Sequence, residues 1–142
     1  MANRLIKGRG IISGVASGPA LIGEAIQGNG ALNYDTGEII QIGHSLKGRR
    51  LKGKILIIAG ARGSTAWSVR LHTTLINGVG PAAMVFPKMD SRTAGAAAAM
   101  KIPVVTDLEE DVFKLIRVDD QVRVDGDRGI IEVIGNDQAG KK

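Results

Sequence analysis

The chain contains no cysteine among its 142 residues. It therefore cannot form a disulfide bond, use a thiolate nucleophile or supply cysteine ligands to an iron–sulfur cluster. Any such cluster would have to be held by a partner protein.

Aromatic residues are also scarce, at 3% of the chain, with one Trp, one Tyr and two Phe. The formal net charge of +5 and the basic stretch 47–54 invite a comparison with nucleic-acid-binding proteins. Such proteins combine positive charge with stacking aromatic side chains or a recognition helix, and neither pattern is present. We therefore expect no nucleic-acid partner, whereas an anionic substrate or an acidic protein fits the basic charge equally well.

Long apolar runs are missing too. No segment approaches the roughly 20 apolar residues that a membrane-spanning helix needs. The first twenty residues contain charges and glycines in place of the uninterrupted apolar core of a secretory signal. The sequence therefore predicts a cytoplasmic protein without membrane association.

The residues that are abundant indicate a compact fold. Hydrophobic residues make up 44% of the chain and 20 residues are glycine, which is typical of an α/β domain with many tight turns. At this length we expect one domain over residues 1–135, followed by a polar C-terminal tail over 136–142.

The stretch 55–68 is the most informative part of the sequence. It opens with a continuous β-branched apolar run, which predicts a buried strand, and Gly60 and Gly63 then predict a sharp turn into a helix. The first amides of such a helix lack internal partners, so the pattern favours binding of an anion smaller than a nucleotide. An ordinary helix cap with Ser64 or Thr65 as the capping residue explains the pattern equally well, and both interpretations remain open.

The alternation of strands and helices after this stretch predicts a parallel sheet. Right-handed crossovers place the loops at the carboxyl ends of such strands around one crevice. Those loops are 60–64 and 87–93, and in the second, Lys88 and Arg92 either bind an anion or are solvated surface charges. The other predicted elements are paired strands over 4–12 and 20–22, an irregular ligand-facing or partner-facing segment over 27–43, a helix ending at 77–78, a strand over 82–86, a helix over 94–100, a strand over 102–105, a helix over 109–116 and a closing hairpin over 121–134.

The two histidines show no metal-binding spacing. His44 lies in a loop with no partner apparent nearby, and His72 lies inside the predicted helix, four residues after Ser68. A lone histidine in either setting is more often a hydrogen-bonded structural residue than a catalyst. We therefore interpret both as structural and expect no metal ligand on this chain.

Four glycine-rich stretches together resemble a known family. Residues 9–21, 60–65, 77–83 and 97–105 are similar, in order and spacing, to the small subunit of the aconitase X group of hydro-lyases. The resemblance spans nearly the whole chain and implies an α/β fold, the swivelling β/β/α domain found as the small domain of aconitase-type enzymes. It also implies a heteromeric dehydratase. A cysteine-bearing large subunit would hold iron or an iron–sulfur cluster, and this chain, which binds no cofactor alone, would close over it.

The resemblance further implies roles for the residues of the turn. Ser64 occupies the position expected for the base that removes a carbon-bound proton, while iron acts as a Lewis acid on the leaving hydroxyl group. Because a serine hydroxyl is a weak acid, its alkoxide would need stabilisation by free helix amides from Thr65 and Ala66 onward. Arg62, Gly63 and Thr65 are the expected substrate-binding residues. The planar guanidinium of Arg62 suits a small carboxylate substrate.

Two substrates are associated with this family, cis-3-hydroxy-L-proline and mevalonate 5-phosphate. Ala61 and Trp67 depart from the commonest form of the motif, and this departure leads us to expect cis-3-hydroxy-L-proline, with mevalonate 5-phosphate as the alternative. A different class of function also fits: a non-catalytic swivelling module that captures a small anion with the same turn. The presence of a neighbouring gene for a cysteine-bearing large subunit would favour the dehydratase hypothesis over the non-catalytic module.

Overall fold

The computed structural model describes residues 3–27, 30–59, 61–62, 66–88 and 101–134, with the backbone alone at 27, 61–62 and 66–70. The predicted helix over 94–100 and the predicted tail over 136–142 lie outside the described residues. The elements are β1 (Arg4–Lys7), β2 (Arg9–Ile12), β3 (Val15–Gly23), β4 (Ile26–Gln27), β5 (Ile55–Ile58), β6 (Ala61–Arg62), α1 (Ala66–Ile76), β7 (Ala83–Phe86), β8 (Val104–Thr106), α2 (Val112–Leu115), β9 (Gln121–Asp125) and β10 (Ile130–Val133).

Eight of these strands form one sheet in the order β1–β10–β9–β3–β5–β7–β8–β2, and β4 and β6 form a separate two-stranded ladder. The centre of the sheet, from β3 through β5 and β7 to β8, is parallel, as the sequence predicts. Strands β9 and β10 form the predicted antiparallel hairpin. Its turn is held by the Asp125 carboxylate, which accepts hydrogen bonds from the amides of Asp127 and Arg128.

The predicted pairing of 4–12 with 20–22 is wrong. Strand β1 pairs with β10 and β2 pairs with β8, while residues 15–23 form one continuous strand that includes Pro19. The first half of this strand pairs with β9, and its pairing with β5 begins only at Ala20. The proline is tolerated because it sits where the strand changes neighbours and no bond from its nitrogen is needed.

The sheet closes on itself at its two ends. Strands β1 and β2 are at opposite ends of the sheet order, yet only Gly8 separates them along the chain, so the sheet must curl until its edges meet. The amide of Gly8 donates a hydrogen bond to the carbonyl of Gly129 at 2.8 Å, which continues the pairing of β1 with β10 up to this junction. A Cβ on Gly10 would lie only 2.0 Å from the carbonyl oxygen of Gly126, so the backbones here approach as only glycine allows.

Both faces of the sheet are buried, which explains the continuous apolar run of β5. Ile55 and Ile57 join a cluster inside the curled sheet, against which α2 packs. Leu56 and Ile58 join a second cluster on the outer face, beneath α1 and segment 30–54.

Segment 30–54 follows the irregular course that was predicted for 27–43. It has isolated bridges between Leu32 and Ile39 and between Glu38 and Arg50. The segment is nevertheless part of the core, because apolar side chains along it are buried against the sheet. These are Ala31, Leu32, Ile39, Leu46 and Leu51.

Candidate functional site

The parallel strands β3, β5, β7 and β8 end together at one edge of the sheet, which we call the carboxyl edge. The register places Gly23 beside Ile58 and Phe86 beside Thr106 as the last residues of these strands. Ligands of parallel sheets bind in the crevice at this kind of edge. The two loops that were predicted to line this crevice, 60–64 and 87–93, begin at this edge.

The stretch 60–65, which we call the glycine turn after the turn predicted from its sequence, connects β5 to α1 by way of β6. Helix α1 begins at Ala66 and ends at Ile76, and Gly78 follows with a φ of 76°, the left-handed conformation of a helix C-terminal cap. The predicted order of a strand followed by a helix is confirmed, and so is the predicted helix end, whereas Gly60 and residues 63–65 of the predicted turn lie outside the described residues.

The predicted base and two of the predicted substrate-binding residues lie outside the described residues. These are Ser64, Gly63 and Thr65, while Arg62 is described by its backbone alone, in β6. Their roles therefore stay predictions. The described backbone on either side shows that these residues occupy the positions between β6 and α1.

A short parallel ladder ties the glycine turn to the chain that leaves β3. Ile26 pairs with Ala61 and Gln27 pairs with Arg62, and the side chain of Ile26 is buried. The ladder therefore holds the backbone directly before Gly63. This ladder is not predictable from the sequence, because strands of two residues show no hydrophobic periodicity.

The buried side chain of His44 contacts the segment between β3 and β4. Its Nδ1 accepts a hydrogen bond from the amide of Leu46 at 3.0 Å, and its Nε2 lies 3.0 Å from the carbonyl oxygen of Glu24. Since an amide only donates and a carbonyl only accepts, these two contacts require a neutral ring with the proton on Nε2. The ring is thus a hydrogen-bonded one, as predicted, but its partner Glu24 was not foreseen, because the two residues are 20 positions apart.

Glu24 follows β3 directly and presents a carboxylate at the carboxyl edge. Its Oε1 accepts a hydrogen bond from the hydroxyl of Ser45 at 2.5 Å, and its Oε2 accepts one from the amide of Ser45 at 3.2 Å. The Ser45 hydroxyl is the main cause that lowers the pKa of Glu24 from 4.5 to about 2. Glu24 is therefore a fixed negative charge, with 47% of its side chain exposed.

Ser45→Ala is expected to remove a pH-dependent part of the stability. Because the folded-state pKa of Glu24 is lowered from 4.5 to about 2, its contribution is complete above pH 4.5 and is lost as the pH falls through 2. Solvent screening of the half-exposed carboxylate limits this contribution to about 1 kcal/mol. In urea unfolding, the free energy of unfolding of the variant should be lower by that amount at neutral pH and almost unchanged near pH 2. An equal deficit under both conditions would argue against this role of Ser45.

The cationic candidates of the sequence analysis are divided between the two edges of the sheet. Lys88 is exposed at the carboxyl edge, two residues after the end of β7, whereas Arg92 lies outside the described residues. The basic stretch 47–54 leads into the amino end of β5, so Lys52 and Lys54 lie at the edge opposite the glycine turn. Those two charges are therefore not part of the candidate site.

His72 lies in the middle of α1. Its Nδ1 is buried and has no hydrogen-bond partner within the part of the chain that the structure describes, so the hydrogen-bonded structural histidine that we predicted is not observed at this atom.

Among the described residues, no three His, Asp or Glu side chains lie close enough together to hold a metal ion. No helix among the described residues is both long enough and apolar enough to cross a membrane.

Comparisons with known proteins agree with this architecture. The family model of the aconitase X swivel domain matches residues 5–133. A phosphomevalonate dehydratase small subunit from Methanocella arvoryzae is 42% identical over 129 residues, which cover 90% of this chain and 98% of that protein. A protein of the same name from Methanosarcina mazei is 35% identical over 138 residues, which cover 95% and 96% of the two chains.

The fold is also that of a solved structure. The crystal structure of Thermococcus kodakaraensis aconitase X in its holo-form matches with a TM-score of 0.84 at 26% identity, over 93% of this chain and 99% of that chain. The predicted α/β swivelling domain is thereby confirmed, and the names of the relatives confirm the expectation of a dehydratase, or hydro-lyase, subunit. The chain belongs to the aconitase X swivel domain family.

Proposed function

We propose that this chain is the small subunit of a dehydratase that, together with a large subunit, removes water from mevalonate 5-phosphate. The observation that carries the proposal is the 42% identity to the Methanocella arvoryzae phosphomevalonate dehydratase small subunit, across 98% of that protein. The names of the relatives favour this substrate over cis-3-hydroxy-L-proline, which the sequence analysis expected. Under this proposal, the departures at Ala61 and Trp67 do not indicate the substrate.

In the proposed reaction, Ser64 acts on a carbon-bound proton. Its deprotonated Oγ accepts the proton, and the electron pair of the broken C–H bond forms a carbon–carbon double bond. The hydroxyl group leaves the neighbouring carbon with its bonding electrons as hydroxide, and one further proton, equal in number to the one that Ser64 has taken up, converts it to water. A general base of this kind contributes about 10²- to 10⁴-fold to the rate. The free amides at the start of α1 and the positive end of its dipole support the role, because they stabilise a negative oxygen at Ser64.

Mevalonate 5-phosphate carries a carboxylate and a phosphate, and the glycine turn offers donors for such groups. The guanidinium of Arg62 can donate two parallel hydrogen bonds to either group, and the amides of Gly63 and Thr65 precede the helix, where anions are stabilised. We assign the substrate anion to these three residues. The placement of Arg62 in β6, directly before the turn, supports the assignment.

The described residues of this chain do not fit an iron centre. The chain has no cysteine, and its described His, Asp and Glu side chains form no group that could hold a metal ion. We therefore assign any iron or iron–sulfur cluster to the large subunit and derive no step of the reaction through it.

Arg62→Lys is expected to lower kcat/KM for mevalonate 5-phosphate by about 10- to 100-fold, mainly through KM, because an ammonium cannot replace two parallel hydrogen bonds. Steady-state kinetics of the complex with its large subunit measures the effect. Arg128→Lys is the matched control, because Arg128 is exposed in the β9–β10 turn and should leave both constants unchanged. An unaltered KM in Arg62→Lys would remove Arg62 from the substrate site.

The proposal is tested by assaying the complex with each substrate. The large subunit is purified together with this chain, and the complex is assayed with mevalonate 5-phosphate and with cis-3-hydroxy-L-proline in separate reactions. We expect dehydration of mevalonate 5-phosphate alone. Dehydration of cis-3-hydroxy-L-proline alone would overturn the substrate assignment, and an inactive pair would favour the non-catalytic anion-binding module.

A further inference from the structure

We propose that His44 is a positioning residue for the glycine turn. Its ring holds the carbonyl group of Glu24 and, through the ladder of β4 and β6, the backbone that leads to Ser64. The kinetic part of this inference rests on the proposed function, whereas the structural part concerns the chain alone.

The connection is a short series of backbone contacts. The Nε2 of His44 donates a hydrogen bond to the carbonyl of Glu24 at 3.0 Å. From Glu24 the chain enters β4, where Ile26 pairs with Ala61. Beyond Ala61, β6 ends at Arg62 and leads into the turn that carries Ser64. The ring is therefore separated from the predicted base by one hydrogen bond, one ladder and a few residues of chain.

The His44 ring itself has little freedom to move. The side chain of His44 is fully buried, and both of its ring nitrogens contact backbone groups. Breaking either contact would leave a buried polar group without a partner, which is costly. The packing around it is close, since a Cβ on Gly23 would lie 3.1 Å from Cδ1 of Leu46 and from Oγ of Ser45. Glu24 is held a second time by the hydrogen bonds that the amide and the hydroxyl of Ser45 donate to its carboxylate.

A fixed backbone matters at this place because proton abstraction depends on geometry. A displacement of about 1 Å between a catalytic group and the substrate can cost about 100-fold in rate. A purely structural histidine would affect folding stability without affecting the turn specifically. A positioning histidine should change the exchange protection of the turn and kcat, while KM stays near its original value.

Two substitutions separate the contacts of the ring. His44→Gln places a side-chain amide nitrogen near the position of Nε2 and keeps the donor to Glu24, but it loses the acceptor for Leu46. His44→Asn places a side-chain oxygen near the position of Nδ1 and keeps the bond from Leu46, but it loses the donor to Glu24. Both variants lose the ring and one hydrogen bond, so they should lower the unfolding midpoint similarly.

Hydrogen–deuterium exchange of peptides that span residues 59–66 tests the structural part on the isolated chain. We expect faster exchange there in His44→Asn than in His44→Gln, which should remain close to the unsubstituted chain. Thr106→Val is the control, because it removes another buried side-chain bond at the carboxyl edge, the one from Thr106 to the carbonyl of Phe86. It should leave exchange over 59–66 unchanged. Equal exchange in the two His44 variants would overturn the inference, whatever the reaction proves to be.

Kinetics of the complex with the large subunit tests the catalytic part. With mevalonate 5-phosphate as substrate, His44→Asn should lower kcat by about 10- to 100-fold at a nearly constant KM, and His44→Gln should restore most of the turnover. Equal loss of kcat in both variants would assign His44 a structural role alone. If the unsubstituted complex is inactive, the proposed function fails, and the exchange experiment still decides whether His44 positions the turn.

Discussion

Ser64→Ala should abolish nearly all turnover of the complex between this chain and its large subunit. Removing the general base is expected to lower kcat by about 10³-fold, equivalent to roughly 4 kcal/mol in the activation barrier. KM should change little, because in the proposed site the hydroxyl acts on the proton in the transition state, whereas substrate binding is assigned to Arg62 and the turn amides. The large subunit should still co-purify with the variant.

The matched control for this experiment is Ser13→Ala. Ser13 is exposed in the turn before the amino end of β3, at the edge of the sheet opposite the glycine turn. This variant should assemble and turn over substrate like the unsubstituted chain. Turnover by Ser64→Ala at the rate of Ser13→Ala would exclude Ser64 as the base.

Gly126→Ala should destabilise the fold more than any other alanine substitution discussed here. A Cβ at this position would lie 1.9 Å from the carbonyl oxygen of Ile12. The backbone has little room to shift, because the amide of Gly126 is bonded to the carbonyl of Gly14 at 2.7 Å and its own carbonyl lies against Gly10. Forcing these backbones apart opens the junction where the sheet closes, which we expect to cost about 3 kcal/mol or more.

Gly53→Ala provides the comparison for Gly126→Ala. No atom lies within 4 Å of the Cβ that this substitution adds, but the φ of Gly53 is 74°, so the cost is only that of a left-handed alanine, about 1 to 2 kcal/mol. Urea unfolding monitored by circular dichroism measures both variants. Equal unfolding free energies for the two would mean that the close approach at the sheet junction does not limit stability.

The sequence predicted the elements whose signals are local. The apolar run of β5 identified a strand buried on both faces, and the Asn77–Gly78 pair located the end of α1. The Asp125-Gly126-Asp127 turn located the hairpin of β9 and β10. In each case the residues that determine the structure are neighbours in the chain, so periodicity and turn chemistry were sufficient.

The features that sequence reasoning missed depend on contacts between distant residues. Pro19 signalled a turn, yet it lies inside β3, because the strand changes partners there and the missing amide is not needed. The bond from His44 to Glu24 and the pairing of β4 with β6 join segments far apart in the chain. No local pattern predicts such contacts, although they are the ones that we propose to position the glycine turn.

The most direct test of the account is a titration of this chain into its purified large subunit with mevalonate 5-phosphate as substrate. The account predicts no dehydration by either protein alone and a rate that rises with added chain to a plateau at stoichiometric amounts. Ser64→Ala chain added to the active mixture should lower that plateau, because it competes for the large subunit without supplying the base. Full dehydration by the large subunit alone, or full restoration of its activity by Ser64→Ala, would contradict the account.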